Sequence, residues 1–279
     1  MPEPYECFEL TLDDGVAHLR MNRPEKRNSM VPSFWRELPE IIGALDAAAE
    51  ARVVVISSTG PHFTAGMDLA VFANEDGAGV PKAVRGARLY DTIGLLQQTF
   101  SCLERCRVPV IAAVQGGCIG GGVDMVTACD LRYATEDAFF CVQEINIGMT
   151  ADVGTFPRLA KIIPEGVARE MAYTGRRLPA ARAREIGLVN EVYPDHDALL
   201  AAVMATAAEI ASKSPLAIFG SKRMMNYARD HSTADGLDYI GVWNASMFQP
   251  SEMAEAFAAN REKRKGAFTP LPPRRTKID

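Results

Sequence analysis

The sequence predicts an α/β fold, because short apolar runs rich in β-branched residues alternate along the chain with longer segments of helical periodicity. The apolar runs at residues 53–56 and 110–114 are typical of buried strands. Between them, Ile93, Leu96 and Phe100 recur at the spacing of one helix face. Of the 279 residues, 48% are hydrophobic and 23% charged, which is enough apolar material for a sizeable core.

The N-terminal segment has the pattern of a β-hairpin. Apolar and polar residues alternate over residues 5–12, the turn sequence Asp13-Asp14-Gly15 follows, and a second alternating run covers residues 16–21. Farther along the chain, strand patterns continue to alternate with helical ones. We expect a helix over residues 34–50 and short strands over residues 131–133 and 139–142.

The pattern of the sequence changes near residue 197, from alternating strand and helix patterns to helix patterns. The alanine-rich stretch DALLAAVMATAAEIASK places Leu199, Val203 and Ile210 on one face of a helix. Ser214 then offers a helix N-cap, and Pro215 occupies the first position of the helix that it opens.

Two more helical segments follow, at about residues 234–248 and 251–264. Strand patterns are essentially absent from this part of the sequence. We therefore divide the chain into a core that carries the active site, residues 1–197, and a helical appendage, residues 198–279.

Charge and composition argue against several classes of function. The net charge is −5 and the isoelectric point is about 5.5, which does not favour non-specific binding to nucleic acid or to membranes. The longest apolar runs fall well short of the roughly 20 residues that span a bilayer. The N-terminal sequence MPEPYECFEL has neither the basic nor the apolar region of a secretory signal, so we expect a cytoplasmic protein.

The cysteines and histidines do not indicate a metal site. The six cysteines lack the spacing of a disulfide framework and are expected to be buried, reduced thiols. Cys102 and Cys106 share a helical pattern, without a nearby histidine or a second cysteine pair. His18, His196 and His231 lie in a strand pattern, a loop and a helix end, with no serine–histidine–aspartate arrangement around them.

Three carboxylates stand out in the middle of the chain. Asp124 is followed by Glu144 after 20 residues and by Asp152 after a further eight, and small or apolar residues surround them. Burial raises the pKa of a carboxyl group, so that it can exchange protons near neutral pH. The three acids are therefore candidates for acid/base catalysis, although Asp124 could instead cap the start of a helix.

A glycine run at residues 120–122 precedes the first of these acids. It lies between a predicted strand and a helical pattern, where backbone N–H groups can approach a negatively charged ligand. The dinucleotide fingerprint G-x-G-x-x-G does not fit, because the frame that begins at Gly120 ends on Met125. Taken alone, the run fits a tight strand-to-helix connection as well as a ligand site.

These segments resemble a known family. The stretches GGCIGGGVDMVTACDLRYA, EINIGMTADVGT, MNRPEKRNSM, HFTAGMDL and KSPLAIFGSKRMMNYARDHS resemble the crotonase (enoyl-CoA hydratase/isomerase) superfamily, and the similarity covers about residues 8–268. The three acids most resemble those of the Δ3,5-Δ2,4-dienoyl-CoA isomerases, because hydratases of the superfamily usually have glycine where this chain has Asp152. The resemblance implies a crotonase-like spiral of ββα turns. It also implies that residues 198–279 form a helical region that builds a trimer or a dimer of trimers.

The resemblance further implies an activity. This is the isomerisation of 3,5-dienoyl-CoA to 2,4-dienoyl-CoA in fatty-acid β-oxidation, with acyl-coenzyme A as substrate and no cofactor. By the same resemblance, Asp152 removes a proton from C2, Glu144 returns one at C6, and Asp124 supports the pair electrostatically. The backbone N–H groups of Met67 and Gly121 form an oxyanion hole for the thioester oxygen.

Coenzyme A binding is likewise implied by the resemblance. In the family, basic residues near the N-terminus meet the phosphates, a backbone carbonyl accepts a hydrogen bond from adenine, and C-terminal basic residues can come from a neighbouring subunit. The segment at residues 74–86 falls where the family has a variable active-site loop, and its composition is that of a loop. The expected coenzyme A residues are Arg23, Lys26, Arg27, Ala65 and Lys263.

Two alternatives remain open. An enoyl-CoA hydratase would use the same fold, but Asp152 would intrude on the site of the water that such an enzyme adds. A scaffold that binds coenzyme A or RNA without catalysis is the second alternative. The intact set of acids and the lack of an extended basic stripe argue against it.

Overall fold

The computed structural model of the protein describes residues 5–68 and 81–275. Within these ranges the strands are β1 (Phe8–Asp13), β2 (Val16–Met21), β3 (Val53–Ser58), β4 (Val110–Val114), β5 (Gly117–Ile119), β6 (Leu131–Thr135), β7 (Phe139–Cys141), β8 (Leu178–Pro179) and β9 (Glu191–Tyr193). The α-helices are α1 (Pro32–Ala48), α2 (Lys82–Arg105), α3 (Gly121–Thr127), α4 (Thr155–Ile162), α5 (Glu165–Thr174), α6 (Ala180–Glu185), α7 (His196–Ala211), α8 (Pro215–Asp230), α9 (Thr233–Met247) and α10 (Pro250–Glu262).

The strands form two sheets, and the chain passes repeatedly from one to the other. The larger sheet has the order β1-β2-β3-β4-β6-β9, and the smaller sheet has the order β5-β7-β8. In the larger sheet only the β1–β2 pair is antiparallel. The sequences β4-β5-α3 and β6-β7-α4 each visit the larger sheet, the smaller sheet and then a helix. These are ββα turns, so the predicted α/β spiral is confirmed.

The predicted N-terminal hairpin is also confirmed. β1 and β2 pair in register from Phe8 opposite Met21 to Asp13 opposite Val16. The two residues of the turn, Asp14 and Gly15, both have positive φ, of 43° and 78°. This is the backbone of a tight two-residue hairpin turn, in which glycine adopts positive φ without steric cost.

The central strands β3 and β4 of the larger sheet are buried on both faces, which explains their continuous apolar sequences. In β3, Val54 and Ile56 belong to one hydrophobic core, while Val53 and Val55 belong to the other. The first core is covered by α1 and α2, which contribute large side chains that include Phe34, Leu38, Phe100 and Leu103.

Helix α7 covers the second face of the sheet. Leu199, Val203 and Ala207 are fully buried and belong to the same core as Val53 and Ile111. The helix that begins next to the predicted boundary at residue 197 therefore packs on the sheet. The division into residues 1–197 and 198–279 stays a prediction about function and oligomerisation.

The structure confirms the C-terminal helices and corrects two local expectations. Ser214 caps α8 by accepting a hydrogen bond from the backbone of Ala217. His196 is the first residue of α7, where a loop was expected, because Asp195 caps that helix. Of the segment expected to be a loop, residues 74–80 lie outside the described ranges, whereas residues 82–86 begin α2. Among the described helices, none combines the length and the apolar character needed to cross a membrane.

Candidate active site

Two tight turns bring backbone N–H groups together beside the smaller sheet. One turn joins β5 to α3, where Gly120 has a φ of 53° and donates its N–H to the carbonyl oxygen of Cys141 at 2.9 Å. In the other, Gly66 has a φ of 85°, and a Cβ atom there would lie 2.7 Å from the carbonyl oxygen of Ile119. Only glycine permits this close approach of the two backbone segments.

The N–H groups of Met67 and Gly121 lie in this junction. A Cβ atom on Gly121 would lie 3.9 Å from the Met67 nitrogen, and one on Gly66 would lie 3.5 Å from the Gly121 nitrogen. Met67 is held by a parallel bridge to Met30, whose N–H donates to Gly66 at 2.8 Å. Across residues 5–68 and 81–275, we find no acceptor for the N–H groups of Met67 and Gly121.

Asp124 lies in the first turn of α3 and is 1% exposed. Its Oδ1 atom accepts hydrogen bonds from the backbone N and from Oγ1 of Thr155, at 2.6 and 2.8 Å. Oδ2 is buried and has no partner among the described residues. Asp124 therefore caps a helix, as its alternative assignment proposed, but the helix is α4 and not its own helix α3.

Burial and charge both act on the Asp124 carboxyl. Burial, and next the charge of Glu144, raise the pKa of Asp124 from 3.8 to about 7. The hydrogen bonds from Thr155 and the charge of Arg158 act in the opposite direction. A carboxyl with a pKa near 7 is divided between its charged and neutral forms at neutral pH.

Glu144 begins a short 3-10 helix, Glu144–Ile147, that follows β7. A Cβ atom on Gly120 would lie 3.1 Å from Oε1 of Glu144, so glycine at that position leaves room for the acid. Its Oε2 atom is buried, with no partner in the described part of the chain. Burial raises the pKa of Glu144, and the charge of Asp152 raises it further.

Asp152 lies just before α4, and its side chain is partly exposed. Its backbone carbonyl oxygen accepts a hydrogen bond of 2.7 Å from the Gln97 side chain on α2. Burial raises the pKa of the Asp152 carboxyl. Glu144 therefore interacts electrostatically with both other acids, and the structure brings together the three carboxylates singled out in the sequence.

The residues expected to bind coenzyme A fall into two groups. Lys26 and Arg27 are exposed at the 3-10 helix Pro24–Lys26, and the Arg27 carbonyl oxygen accepts the N–H of Ala65 at 2.9 Å. Arg23 is half-buried and donates to the carbonyl oxygen of Ser29 at 3.4 Å. Lys263 lies on a different element, as the exposed residue that ends α10.

Two residues around the acids were missed in the sequence. Thr155 is fully buried and holds Asp124, 31 residues away, so local spacing gives no hint of the contact. Gln97 is an ordinary polar residue on α2, and only the packing of that helix brings it to Asp152. One local signal for Thr155 exists: it follows Gly154 at the start of α4, where threonine often satisfies backbone or neighbouring polar groups.

The remaining polar candidates have structural contacts. Nδ1 of His62 accepts the backbone N–H of Gly117 at 3.0 Å, which connects the two chain segments that lead into the turns of the junction. All six cysteines are free thiols, with Cys102 partly exposed and the other five buried. Within the described ranges, we find no group of three or more potential metal ligands.

Known proteins resemble this chain along most of its length. The mitochondrial Δ(3,5)-Δ(2,4)-dienoyl-CoA isomerase of Mus musculus is 45% identical over 264 residues, covering 93% of this chain and 81% of the mouse protein. The peroxisomal enzyme of the same name from Arabidopsis thaliana is 37% identical and covers 96% of this chain and 99% of its own length. The crystal structure of enoyl-CoA hydratase from Bacillus anthracis superposes with a TM-score of 0.84 at 28% identity, covering 94% of this chain and 99% of that one.

These comparisons contradict one expectation. A cytoplasmic protein was expected from the composition of the N-terminus, but the mouse relative is named as mitochondrial and the Arabidopsis relative as peroxisomal. The cytoplasmic assignment is therefore wrong. Composition near the N-terminus is a weak guide here, because targeting signals are recognised by receptors and are not determined by the fold.

The family assignment rests on the length of the match and on the fold. The model of the family described as enoyl-CoA hydratase/isomerase matches residues 11–270. The solved hydratase shares both the fold and nearly the full length of the chain. The resemblance seen in the glycine-rich and acidic segments is thus confirmed, and the chain belongs to the enoyl-CoA hydratase/isomerase family.

Proposed function

We propose that the protein is an isomerase that converts 3,5-dienoyl-CoA to 2,4-dienoyl-CoA in fatty-acid β-oxidation. Two relatives that cover almost the whole chain carry the name of this activity. The observation that carries the proposal is the electrostatic series of acids, in which Glu144 interacts with both Asp124 and Asp152. Each of the three carboxyls has a raised pKa, as groups that exchange protons near neutral pH require.

The reaction moves one proton along the acyl chain. Asp152 takes a proton from C2, the double bonds shift from C3–C4 and C5–C6 to C2–C3 and C4–C5, and Glu144 gives a proton to C6. Both carboxyls must then exchange protons to restore the starting state, which their mutual interaction favours. Asp124 supports the pair electrostatically, because the charge of Glu144 raises the pKa of the Asp124 carboxyl.

The thioester oxygen gains negative charge when C2 loses its proton. We assign its stabilisation to the N–H groups of Met67 and Gly121, which lie side by side at the junction of the two turns. Such preorganised donors stabilise charge where it develops in the transition state. Gly121 is also the first residue of α3, but that helix has only seven residues, so the assignment rests on the paired N–H groups.

Coenzyme A is the carrier of the substrate, and no cofactor enters this scheme. Lys26 and Arg27 offer exposed positive charge to its phosphates, and Ala65 lies beside them through its hydrogen bond to Arg27. Arg23 adds a half-buried guanidinium on the same segment. We assign Lys263, at the end of α10, to a coenzyme A that is bound by a neighbouring subunit.

The C-terminal helices support a further part of the proposal, a trimer or a dimer of trimers. A groove of about 370 Å³ is lined by Leu216, Trp243, Met253 and other residues of α8, α9 and α10. Exposed apolar patches of this kind mark interaction surfaces. We expect light scattering at micromolar concentration to give a trimer or a hexamer, and a monomer mass would contradict this assignment. The large exposed apolar side chains of this region, among the described residues, are Met225, Leu237, Ile240, Val242, Met247, Phe248, Met253 and Phe257.

A pair of spectrophotometric assays tests the activity. Incubation with a 3,5-dienoyl-CoA brings a double bond into conjugation with the thioester, so its ultraviolet absorbance rises. Incubation with a 2-enoyl-CoA gives a fall in absorbance only if water is added. An isomerase gives the first result, whereas a fall alone favours a hydratase, the function named for the solved Bacillus anthracis relative. No change with either substrate would favour a non-catalytic scaffold that binds coenzyme A or RNA.

A further inference from the structure

Thr155 makes an unusual contact with Asp124. It is the first residue of α4 and is completely buried, and both of its donors point to the same carboxylate oxygen. The backbone N and Oγ1 of Thr155 lie 2.6 and 2.8 Å from Oδ1 of Asp124. The second oxygen, Oδ2, is buried and has no partner in the described ranges.

This geometry has two consequences for the carboxyl. Hydrogen bonds donated to a carboxylate favour its charged form, and the start of a helix favours negative charge as well. Because two donors already face Oδ1, a proton on Asp124 has to sit on Oδ2, the oxygen that is left without a donor.

Other groups act on Asp124 from each element that packs around it. Glu144 raises the pKa of Asp124, and Arg158 on α4 lowers it. Cys118 on β5 is affected in turn, because the charge of Asp124 raises the pKa of that thiol. The direct hydrogen bonds from Thr155 therefore lower the pKa of Asp124, whereas burial and the charge of Glu144 raise it.

We propose that Thr155 is a positioning residue, which orients the Asp124 carboxyl so that Oδ2 carries its proton and which stabilises the charged form of this carboxyl. The consequence for catalysis rests on the function proposed above. The consequence for the protonation of Asp124 does not, and it can be measured without substrate.

The first experiment follows the protonated Asp124 carboxyl by infrared spectroscopy as a function of pH. The band of this group is identified as the one that Asp124→Asn removes. Thr155→Val deletes the hydroxyl at nearly constant volume. It should raise the pH at the midpoint of the titration of this band by roughly one unit, the shift that corresponds to the loss of one hydrogen bond to a charged group. Thr155→Ser keeps both donors and should keep the wild-type midpoint.

Thr127 provides a matched control. Its buried hydroxyl donates to the backbone carbonyl oxygen of Asp124 at 2.9 Å, so Thr127→Val removes a similar group that does not touch the carboxyl. The midpoint should stay unchanged in this variant. An equal midpoint in Thr155→Val and wild type overturns the proposal, and so does an equal shift in Thr127→Val. If Thr155→Val does not fold, Thr155→Ala gives the same test.

The second experiment concerns the reaction. The pH dependence of kcat/KM for a 3,5-dienoyl-CoA reports the ionising groups of the free enzyme. The limb of this profile that reports Asp124 is the one that disappears in Asp124→Asn. This limb should move to higher pH by roughly one unit in Thr155→Val and should not move in Thr155→Ser. A limb that does not move in Thr155→Val overturns the role in catalysis. If the wild type shows no isomerisation at all, the proposed function fails, while the infrared titration still decides the role of Thr155.

Discussion

The side chain of Gln97 donates a hydrogen bond of 2.7 Å to the backbone carbonyl oxygen of Asp152. Gln97 lies on α2, which packs against α1 over the first face of the larger sheet. Asp152 lies in the connection that leads from the short helix of Glu144 to α4. The hydrogen bond therefore ties the most exposed of the three acids to a long helix that the core holds in place.

The first prediction concerns this contact. Gln97→Met keeps the length of the side chain and removes the donor, so Asp152 becomes less well positioned, and kcat for a 3,5-dienoyl-CoA should fall by up to about tenfold. KM should change little, because Gln97 is not among the residues assigned to coenzyme A. Gln98→Met is the control, since Gln98 is the exposed neighbour on the same helix. Equal rates for the two variants would show that the contact does not matter.

The second prediction concerns the proton carriers. Asp152→Asn and Glu144→Gln keep the size of each side chain and remove its ability to exchange a proton. Each should lower the rate of isomerisation by about 10²-fold or more, the usual scale for a positioned acid or base. In the proposed mechanism the two groups act as one relay, so the double variant should be little slower than either single variant. Asp124→Asn should have a milder effect.

Steady-state kinetics on each variant, with the fold checked by circular dichroism, test this prediction. A nearly wild-type isomerisation rate for Asp152→Asn would favour the hydratase alternative. Fully multiplicative losses in the double variant would show that the two acids act independently.

Much of the fold could be predicted because its elements are long and periodic. The buried strands β3 and β4 and the second half of helix α2 follow directly from hydrophobic patterns, whereas residues 82–86 at the start of α2 were expected to be a loop. Strands β5 and β8 were not predicted, because β5 is three residues long and begins with glycine, and β8 consists of one leucine and one proline. The equally short β7 was predicted, since it lies in the continuous apolar run of residues 139–142. The positions of β5 and β8 depend on pairing with β7, which is a long-range contact.

The same distinction applies to the site. The three acids were visible in the sequence, because carboxylates in apolar surroundings are unusual. The pairing of Asp124 with Thr155 spans 31 residues, and that of Gln97 with Asp152 spans 55, so only the folded chain shows them. The roles given to the acids came from the resemblance and stay predictions.

The third prediction concerns the N–H group of Gly121. Gly121→Pro removes this donor, and proline is tolerated at the first position of a helix because its missing N–H has no intrahelical partner there. Gly121→Ala is the control. Alanine and proline both add a Cβ atom beside Sδ of Met30, but only alanine keeps the N–H group. Turnover should be about 10²–10³-fold lower in the proline variant than in the alanine variant, the usual effect of losing one oxyanion-hole donor.

Kinetics on a 3,5-dienoyl-CoA, together with the affinity for coenzyme A alone, test the assignment. The affinity for coenzyme A should be similar in the two variants, because Gly121 is not among the residues assigned to coenzyme A. Equal turnover in folded proline and alanine variants would contradict the role of Gly121.

The fourth prediction concerns a buried ion pair far from the acids. Oδ1 of Asp46 lies 2.9 Å from Nε of Arg107, and both side chains are less than 10% exposed. Asp46→Ala leaves the buried Arg107 guanidinium without its carboxylate partner and also removes the ion pair of Asp46 with Arg274 at 3.0 Å, so the free energy of unfolding should fall by about 3–5 kcal/mol. Glu165→Ala breaks the exposed pair with Arg169 and should cost far less, because solvent screens that pair. Urea denaturation of both variants measures the difference, and similar losses would contradict this assignment of the buried pair.

The last prediction concerns the pH dependence of stability. Burial raises the pKa of Asp124 from 3.8 to about 7 in the folded protein, so between these values the folded state binds this proton more tightly than the unfolded state does. The contribution of Asp124 to the free energy of unfolding is therefore largest below pH 4, falls as the pH rises, and becomes constant above about pH 7. Asp124→Asn does not titrate and retains an oxygen that can accept the hydrogen bonds of Thr155. The difference in unfolding free energy, wild type minus Asp124→Asn, should thus decrease between pH 5 and pH 7 by an amount on the order of a few kcal/mol.

Urea denaturation of both proteins at pH 5, 6, 7 and 8 gives this difference directly. A difference that is constant or that increases over this range would show that the folded state does not favour the protonated form of Asp124.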